Sequence, residues 1–489
     1  MQTNTDFNAP KIADKYAGPL FWVFGLFTIL CFSTGIYTED YTLGILPFCL
    51  LFSVLALLNF RLVFFILLLT IPLSVETYIG SFGTDLPSEP ILILLTGSIL
   101  IYFLINPDEL NQKSFRHPIL MVLFGMFGWS IFVTFFSTDA VLSVKYLLAK
   151  SWYLSGFFLL PILLIRNEKS IRILFWCLFI PTFGSVLFIL IKHATLHFNF
   201  DNIQKAVYPV YRNHVNYAVF ITMFLPFLFL AKSWYPKHYV RHTVLRYSIP
   251  VFIAAIFLSY TRGAWLALIG MPFYILILRF KLTKLVLLAA SVIAITFTGY
   301  MVSNNNYLKY SPDFEHTIYH DELGEHLTST FEMEDMSTVE RFYRWIAAVK
   351  LFKEHPFVGV GPNNFVTNYK QFTVTAYETY ISDNEERSTV HNYFLLLLTE
   401  QGLPALLLYI ILIGVILLTA EQIYTVSDAE NRKYIAVVTL CIVAFLLNNT
   451  LSDLVEANKV GSLFLICLGL LVNFSTGQIK IESALNTEK

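Results

Sequence analysis

Charge is scarce in this chain: 14% of its 489 residues are Asp, Glu, Lys or Arg, and 33 basic residues almost cancel 34 acidic ones. The resulting net charge of -1 offers no basic field, so no nucleic-acid partner is expected. Cysteine is scarce too. Cys31, Cys49, Cys177, Cys441 and Cys467 fall inside apolar runs without motif spacing, which excludes a disulfide framework and a zinc ribbon. The first residues, MQTNTDFNAPKIADKY, lack a basic stretch and a small-residue cleavage site, so the first apolar run is expected to be a retained helix rather than a signal peptide. No internal repeat stands out.

What the chain has instead is apolar length. It is 56% hydrophobic and 16% aromatic, with a mean hydropathy of +0.63, which is the composition of a polytopic membrane protein. About 14 runs are long enough to cross a bilayer, since about 20 apolar residues span its ~30 Å core. The expected fold is all-α, with about 12–14 transmembrane helices and one large loop carrying amphipathic helices. The divisions are 1–302 for about eleven helices, 303–390 for the loop, 391–475 for about three more helices and 476–489 for a cytoplasmic tail. Two of the runs cover residues 41–58 and 62–79.

Orientation follows from lysine and arginine. With a cytoplasmic N-terminus, about 19 of the 33 basic residues fall in cytoplasmic segments, as the positive-inside rule requires. The long loop then faces the other side, and Arg212, Arg262, Arg341 and Arg344 are left on that face together with His391. An arginine snorkelling to lipid headgroups is the plain alternative for Arg262. Against it, Arg262 opens a helix, where the dipole disfavours a cation, and is tightly flanked by Gly263 and Ala264.

The long loop has two halves. Residues 313–335 hold Asp313, Glu315, Asp321, Glu322, Glu325, Glu332, Glu334 and Asp335, the make-up of a solvated insertion. His316, His320 and His326 lie among them without the spacing of a metal-ligand motif, so no metal site is assigned. After this, Ser337 and Glu340 form a capping box, and Phe342, Trp345, Ile346, Val349 and Phe352 recur on one helical face. Arg341 and Arg344, three apart, share a side next to that stripe and are suited to hold an anion. Pro356 ends the helix. The turn GVGPNNF at 359–365 lacks the Lys-Ser/Thr of a nucleotide loop. Thr389 or Ser388 is expected to cap the next helix, placing His391 in its first turn, where the dipole favours a neutral ring able to accept a proton. Glu400, nine residues on, is on the opposite face and needs a partner on another helix or a proton.

The order SYTRGAW around Arg262, then Arg341-x-x-x-Trp345 followed by KEHPFVGVGPNNF, then HNYFLLLLTEQG from His391, resembles the O-antigen ligase and polymerase superfamily of bacterial envelope glycosyltransferases. The likeness covers about residues 212–453. It implies a GT-C-like enzyme of the bacterial inner membrane, with its active face periplasmic. It implies a donor glycan on undecaprenyl pyrophosphate, an acceptor such as lipid A core or another glycan, membrane lipids around it, and no nucleotide sugar, metal or other cofactor. The roles carried over are pyrophosphate contacts for Arg262 and Arg341 and acceptor engagement for His391. Arg212, Asn216, Arg344, Asn392 and Asp453 are the candidate substrate-binding residues, Asp453 by its place in NNTLSDLVEANK. The family commonly has about 12 helices, fewer than the runs counted here.

Elementary chemistry agrees. Displacing a sugar from a pyrophosphate builds negative charge on the leaving oxygens, which fixed guanidinium groups stabilise, and the acceptor hydroxyl needs a base. Attack opposite the leaving group inverts the anomeric centre. The acceptor stays open between lipid A core, a growing glycan and a protein side chain, with the ligase preferred. A transporter of lipid-linked oligosaccharides or small anions is the reading from another class, but it calls for broken helices with polar residues at mid-membrane in related halves, whereas these polar groups gather at one interface.

Overall fold

The computed structural model describes residues 12–38, 43, 46–79, 82–303, 306, 336–372 and 389–481. The acidic segment 313–335, its three histidines and Ser388 lie outside the described residues, as do the side chains of the Ser337–Glu340 box. Contacts divide the chain into two compact units, Met1–Phe64 and Phe65–Lys489.

The first unit holds α1 (Ile12–Tyr37) and the start of α2 (Leu46–Thr70). The apolar runs at 41–58 and 62–79 fall largely in this one element, which is interrupted by Asn59 with φ -150° and ψ 70°.

In the second unit, the end of the 62–79 run is not helical. Val75–Ile79 (β1) and Phe82–Leu86 (β2) form an antiparallel hairpin with Glu76 opposite Asp85. There follow α3 (Ser88–Ile105), α4 (Pro118–Thr134), and α5 (Ala140–Leu164), which runs through a π-helical turn at Ser155–Leu159. Next come α6 (Glu168–Thr195), α7 (His214–Ser233), α8 (Val240–Phe257), α9 (Arg262–Phe280) and α10 (Thr283–Val302). The loop contributes α11 (Met336–Glu354), and α12 (Tyr393–Val426), α13 (Ala429–Asn448) and α14 (Asn458–Ser475) complete the unit. Among the described residues, ten helices are long and apolar enough to cross a membrane, and two shorter apolar helices accompany them. The chain is an all-α polytopic membrane protein with one small hairpin.

Polar residues set where several helices begin. Asp139 accepts from Val141 N and Leu142 N (2.9 and 3.2 Å) ahead of α5, Asn167 from Ser170 N (2.9 Å) ahead of α6, and Asn213 from Asn216 N (2.8 Å) ahead of α7. Each supplies an acceptor to amides that the helix itself cannot satisfy. At the centre, α7 packs on α8, α9 and α13, and α14 packs on α13 and on the π turn of α5. Both α7 and α14 are apolar all round, so burial from every side is their stable arrangement. By contrast, α10 past its first residue, Thr283, has no buried residue among those described.

One break positions the rest. In α12, Gly402 adopts φ 75° and ψ -177°, a conformation that side-chain-bearing residues rarely take. The break frees two carbonyls and an amide, and the turn after α11 satisfies them. Val360 N donates to Thr399 O (3.0 Å), Gly361 N to Glu400 O (2.8 Å), and Leu403 N to Pro356 O (2.9 Å). Glu400, buried, accepts from Asn363 N (2.8 Å) and Phe365 N (3.0 Å). Its hydrogen-bond partners are therefore loop amides, which meets the need the sequence assigned either to a partner on another helix or to a proton. Asn364 ties the same turn to the α4–α5 connection through Asp139 N (3.0 Å) and Ser143 Oγ (2.8 Å). Irregular backbone among membrane helices persists only where protein meets its hydrogen bonds, and here it does.

Candidate functional site

Four pieces of chain meet at one end of the second unit: the start of α9, α11, residues 389–392, and the turn from α13 to α14. Gly263 makes the first junction possible, since a Cβ there would stand 2.6 Å from Asn448 Oδ1. Arg262 is thereby set beside the last turn of α13. That same turn receives the start of α12: Asn449 O accepts from Tyr393 N (3.2 Å) and Thr450 O from Asn392 Nδ2 (2.9 Å).

Asn392 caps α12, its Oδ1 accepting from Leu395 N (3.0 Å). Thr389, one of the two expected caps, does not cap it, and Ser388, the other, lies outside the described residues. His391 precedes the cap instead of lying in the first turn, and it holds a left-handed φ of 55°, an uncommon conformation for a residue with a side chain. The helix-dipole argument for its neutrality therefore does not apply. Burial and the guanidinium groups of Arg344 and Arg341 do the same work, lowering the imidazole to about 3. Its side chain is still 31% exposed, so the ring is crowded by charge yet reachable.

Asp453 faces it. Its Oδ1 is 3.9 Å from His391 Nδ1, and its Oδ2 takes a hydrogen bond from Thr389 Oγ1. Burial raises the Asp453 carboxyl above its ordinary range, while the Thr389 hydroxyl and the charges of Arg212 and Arg344 oppose that rise.

Helix α11 presents Arg344 on its buried face together with Ala347, Ala348 and Leu351. Of the expected stripe, Ile346 is buried there too, while Phe342, Trp345, Val349 and Phe352 are only partly buried, so the inward face is rotated from the one read in the sequence. Trp345 holds residues 389–392 in place by donating its indole N–H to Val390 O at 3.1 Å. Arg344 is 4% exposed. Its Nη1 reaches Thr389 O at 3.5 Å, and its Nε has no hydrogen-bond partner among the described residues. Arg341 is half-buried one turn earlier and bears on His391 electrostatically.

The other candidates lie farther out. Arg212 is exposed, with Nε 3.9 Å from Glu76 Oε2 on the hairpin, yet close enough to act on Asp453. Asn216 is half-buried in the first turn of α7 and makes its described contact through its backbone amide to Asn213. Thr389 and Trp345 as positioning groups escaped the sequence reading, although Trp345 stands in the Arg-x-x-x-Trp pattern that could have flagged it. Among the described residues no cluster of His, Cys, Asp and Glu is arranged to hold a metal ion.

Residues 248–410 match the family described as O-antigen ligase. This match supports the O-antigen ligase superfamily for that stretch, about a third of the chain. No curated protein matches it. The O-antigen ligase match runs from α8 into α12 and takes in Arg262, Arg341, Arg344, His391 and Asn392. Arg212, Asn216 and Asp453 are outside it. The guanidinium and imidazole groups thus belong to the O-antigen ligase region itself, and the carboxylate that faces them is brought from the following turn.

Proposed function

We propose that this chain transfers a glycan from undecaprenyl pyrophosphate to an acceptor at the periplasmic face of the bacterial inner membrane, lipid A core being the preferred acceptor. The O-antigen ligase match over residues 248–410 supports ligase-type or polymerase-type glycosyl transfer in general. The observation that carries the finer reading is Arg344. A guanidinium that is 4% exposed, with no acidic side chain in ion-pair contact among the described residues and an unpartnered Nε, is costly to hold in a folded protein. An anionic ligand removes that cost, and a diphosphate does so with oxygens matched to the planar fork.

The roles follow. Arg344 and Arg341, with Arg262 beside them, bind the diphosphate and stabilise the charge that develops as the bond from the anomeric carbon to the phosphate oxygen breaks. His391, held neutral, takes the proton from the acceptor hydroxyl as that oxygen attacks the anomeric carbon from the opposite side. Nδ1 faces Asp453, which leaves Nε2 for the proton, and the carboxylate stabilises the imidazolium that results. The diphosphate departs with the electron pair and the anomeric centre is inverted. Polymerisation of a growing glycan, or transfer to a protein side chain, would use the same donor groups.

Reconstitution with a defined lipid-pyrophosphate donor and competing acceptors tests this reading. Inverted transfer, lost in His391→Ala and Arg344→Met, is the expected result. Undiminished transfer by both purified variants would overturn it. Accumulation in a deletion strain separates the acceptors: lipid-linked polymer for a ligase, single lipid-linked repeats for a polymerase.

A further inference from the structure

Asp453 faces His391 without a hydrogen bond to it, so its place depends on the backbone that carries it. That backbone runs from Asn449, just past α13, through the single 3₁₀ turn Leu454–Glu456 to the start of α14. One residue of α12 fastens both ends. Tyr393 donates its backbone N–H to Asn449 O (3.2 Å) and its phenol to Glu456 Oε1 (3.4 Å), and Asp453 lies between these two anchors. The same tyrosine is two residues past His391, so the fastening and the imidazole share one short stretch of chain.

Each anchor is reinforced. At the first, Asn449 Nδ2 donates to Tyr409 Oη (2.8 Å), whose ring packs edge-on against that of Tyr393 with centroids 4.8 Å apart. At the second, Glu456 Oε1 also accepts from Tyr146 Oη and Lys150 Nζ of α5, both at 3.1 Å. A carboxylate oxygen can take several donors at once, and a cation among them strengthens the set. Tyr393 belongs to the matched stretch 248–410 and Glu456 does not, so this contact joins the histidine's part of the chain to the carboxylate's. We propose that Glu456 is a positioning residue for the reaction, clamping the turn through Tyr393, Tyr146 and Lys150 so that the Asp453 carboxylate faces His391 Nδ1. This rests on the function proposed above. Glu456 acts through Asp453, and Asp453 in turn stabilises the imidazolium that forms when His391 takes the acceptor proton.

The test uses full-length protein in proteoliposomes. Glu456→Ala removes the shared acceptor, while the milder Tyr393→Phe removes one phenol and keeps both the backbone hydrogen bond and the ring. Both are expected to lower kcat for glycan transfer about tenfold, a coupling typical of groups in one network, with KM for the donor unchanged. In an Asp453→Asn background neither should lower kcat further, because the carboxylate they position is already gone. Glu456→Gln, which keeps an acceptor oxygen, is expected to recover part of the loss. A second readout needs no transfer: the nitrogen NMR shifts of the His391 ring, assigned by their absence in His391→Ala. A carboxylate facing Nδ1 keeps the ring proton there, and both variants are expected to move it toward Nε2. An unchanged tautomer, an unchanged kcat in variants of an active enzyme, or losses that multiply in full with Asp453→Asn would each overturn the clamp. A tautomer shift in protein that transfers no glycan would leave the clamp standing and remove the transferase reading.

Discussion

His391 Nδ1 stands 3.9 Å from Asp453 Oδ1, too far for a hydrogen bond, while Thr389 secures the other carboxylate oxygen. The two residues are 62 positions apart and meet because α12 starts on the last turn of α13. A neutral imidazole beside a carboxylate becomes better paired once it takes a proton. Asp453→Asn is therefore expected to lower kcat with little change in KM for the donor. His391→Ala is expected to lose about 10²–10⁴-fold in kcat, the usual contribution of a positioned base. Glycan transfer by the purified variants measures both.

The pH dependence has a definite sign. Burial and the charges of Arg344 and Arg341 hold the His391 imidazole at about 3, so the ring stays neutral, and able to act as a base, as pH falls from 8 to 5. Removing either guanidinium takes away a like charge and moves the imidazole up toward its ordinary range. Arg341→Gln is expected to introduce an acid limb in kcat/KM at higher pH than any limb of the wild type. The shape of the profile, not its height, is the readout. An unchanged shape would show that the arginines do not bear on the ring.

Arg344→Lys tests planarity against charge. A lysine keeps the cation but offers a point charge in place of a fork, so donor binding is expected to weaken even though net charge is preserved. Arg341→Lys is expected to behave alike. Titration with a lipid diphosphate and with the matching monophosphate measures it, and equal loss for both ligands would argue against bidentate contact.

The arginines are assigned the charge stabilisation that a metal ion provides in other transferases. Full activity is therefore expected in excess chelator. Loss of transfer that a divalent cation restores would assign that role to an ion instead.

The break in α12 should be fragile. Gly402→Ala forces a side chain into φ 75°, ψ -177° and toward the Phe357 carbonyl, a strain of about 1–3 kcal/mol before any clash. Glu400→Gln replaces an oxygen that accepts a loop amide with an NH2 donor, at a cost of about 1–3 kcal/mol for the amide left unpaired. Thermal unfolding in detergent, followed by size exclusion, should show a lower midpoint for both.

Composition and apolar run length were enough to read a polytopic all-α membrane protein, because covering ~30 Å of hydrocarbon demands long apolar helices whatever their arrangement. The identity of the polar groups was legible as well. Arginines left on the loop side and a histidine ahead of an apolar run stand out against a background that is 56% hydrophobic. Tertiary structure alone decided how they act. It placed His391 before the cap in a left-handed turn, so its neutrality comes from neighbouring guanidinium groups and not from a helix dipole. It turned α11 so that Arg344 faces inward, and it matched Glu400 with loop amides. The physical reason is one of range. Burial, charge proximity and a broken helix's freed hydrogen bonds depend on residues tens to hundreds of positions apart, and no local periodicity encodes which of them will meet.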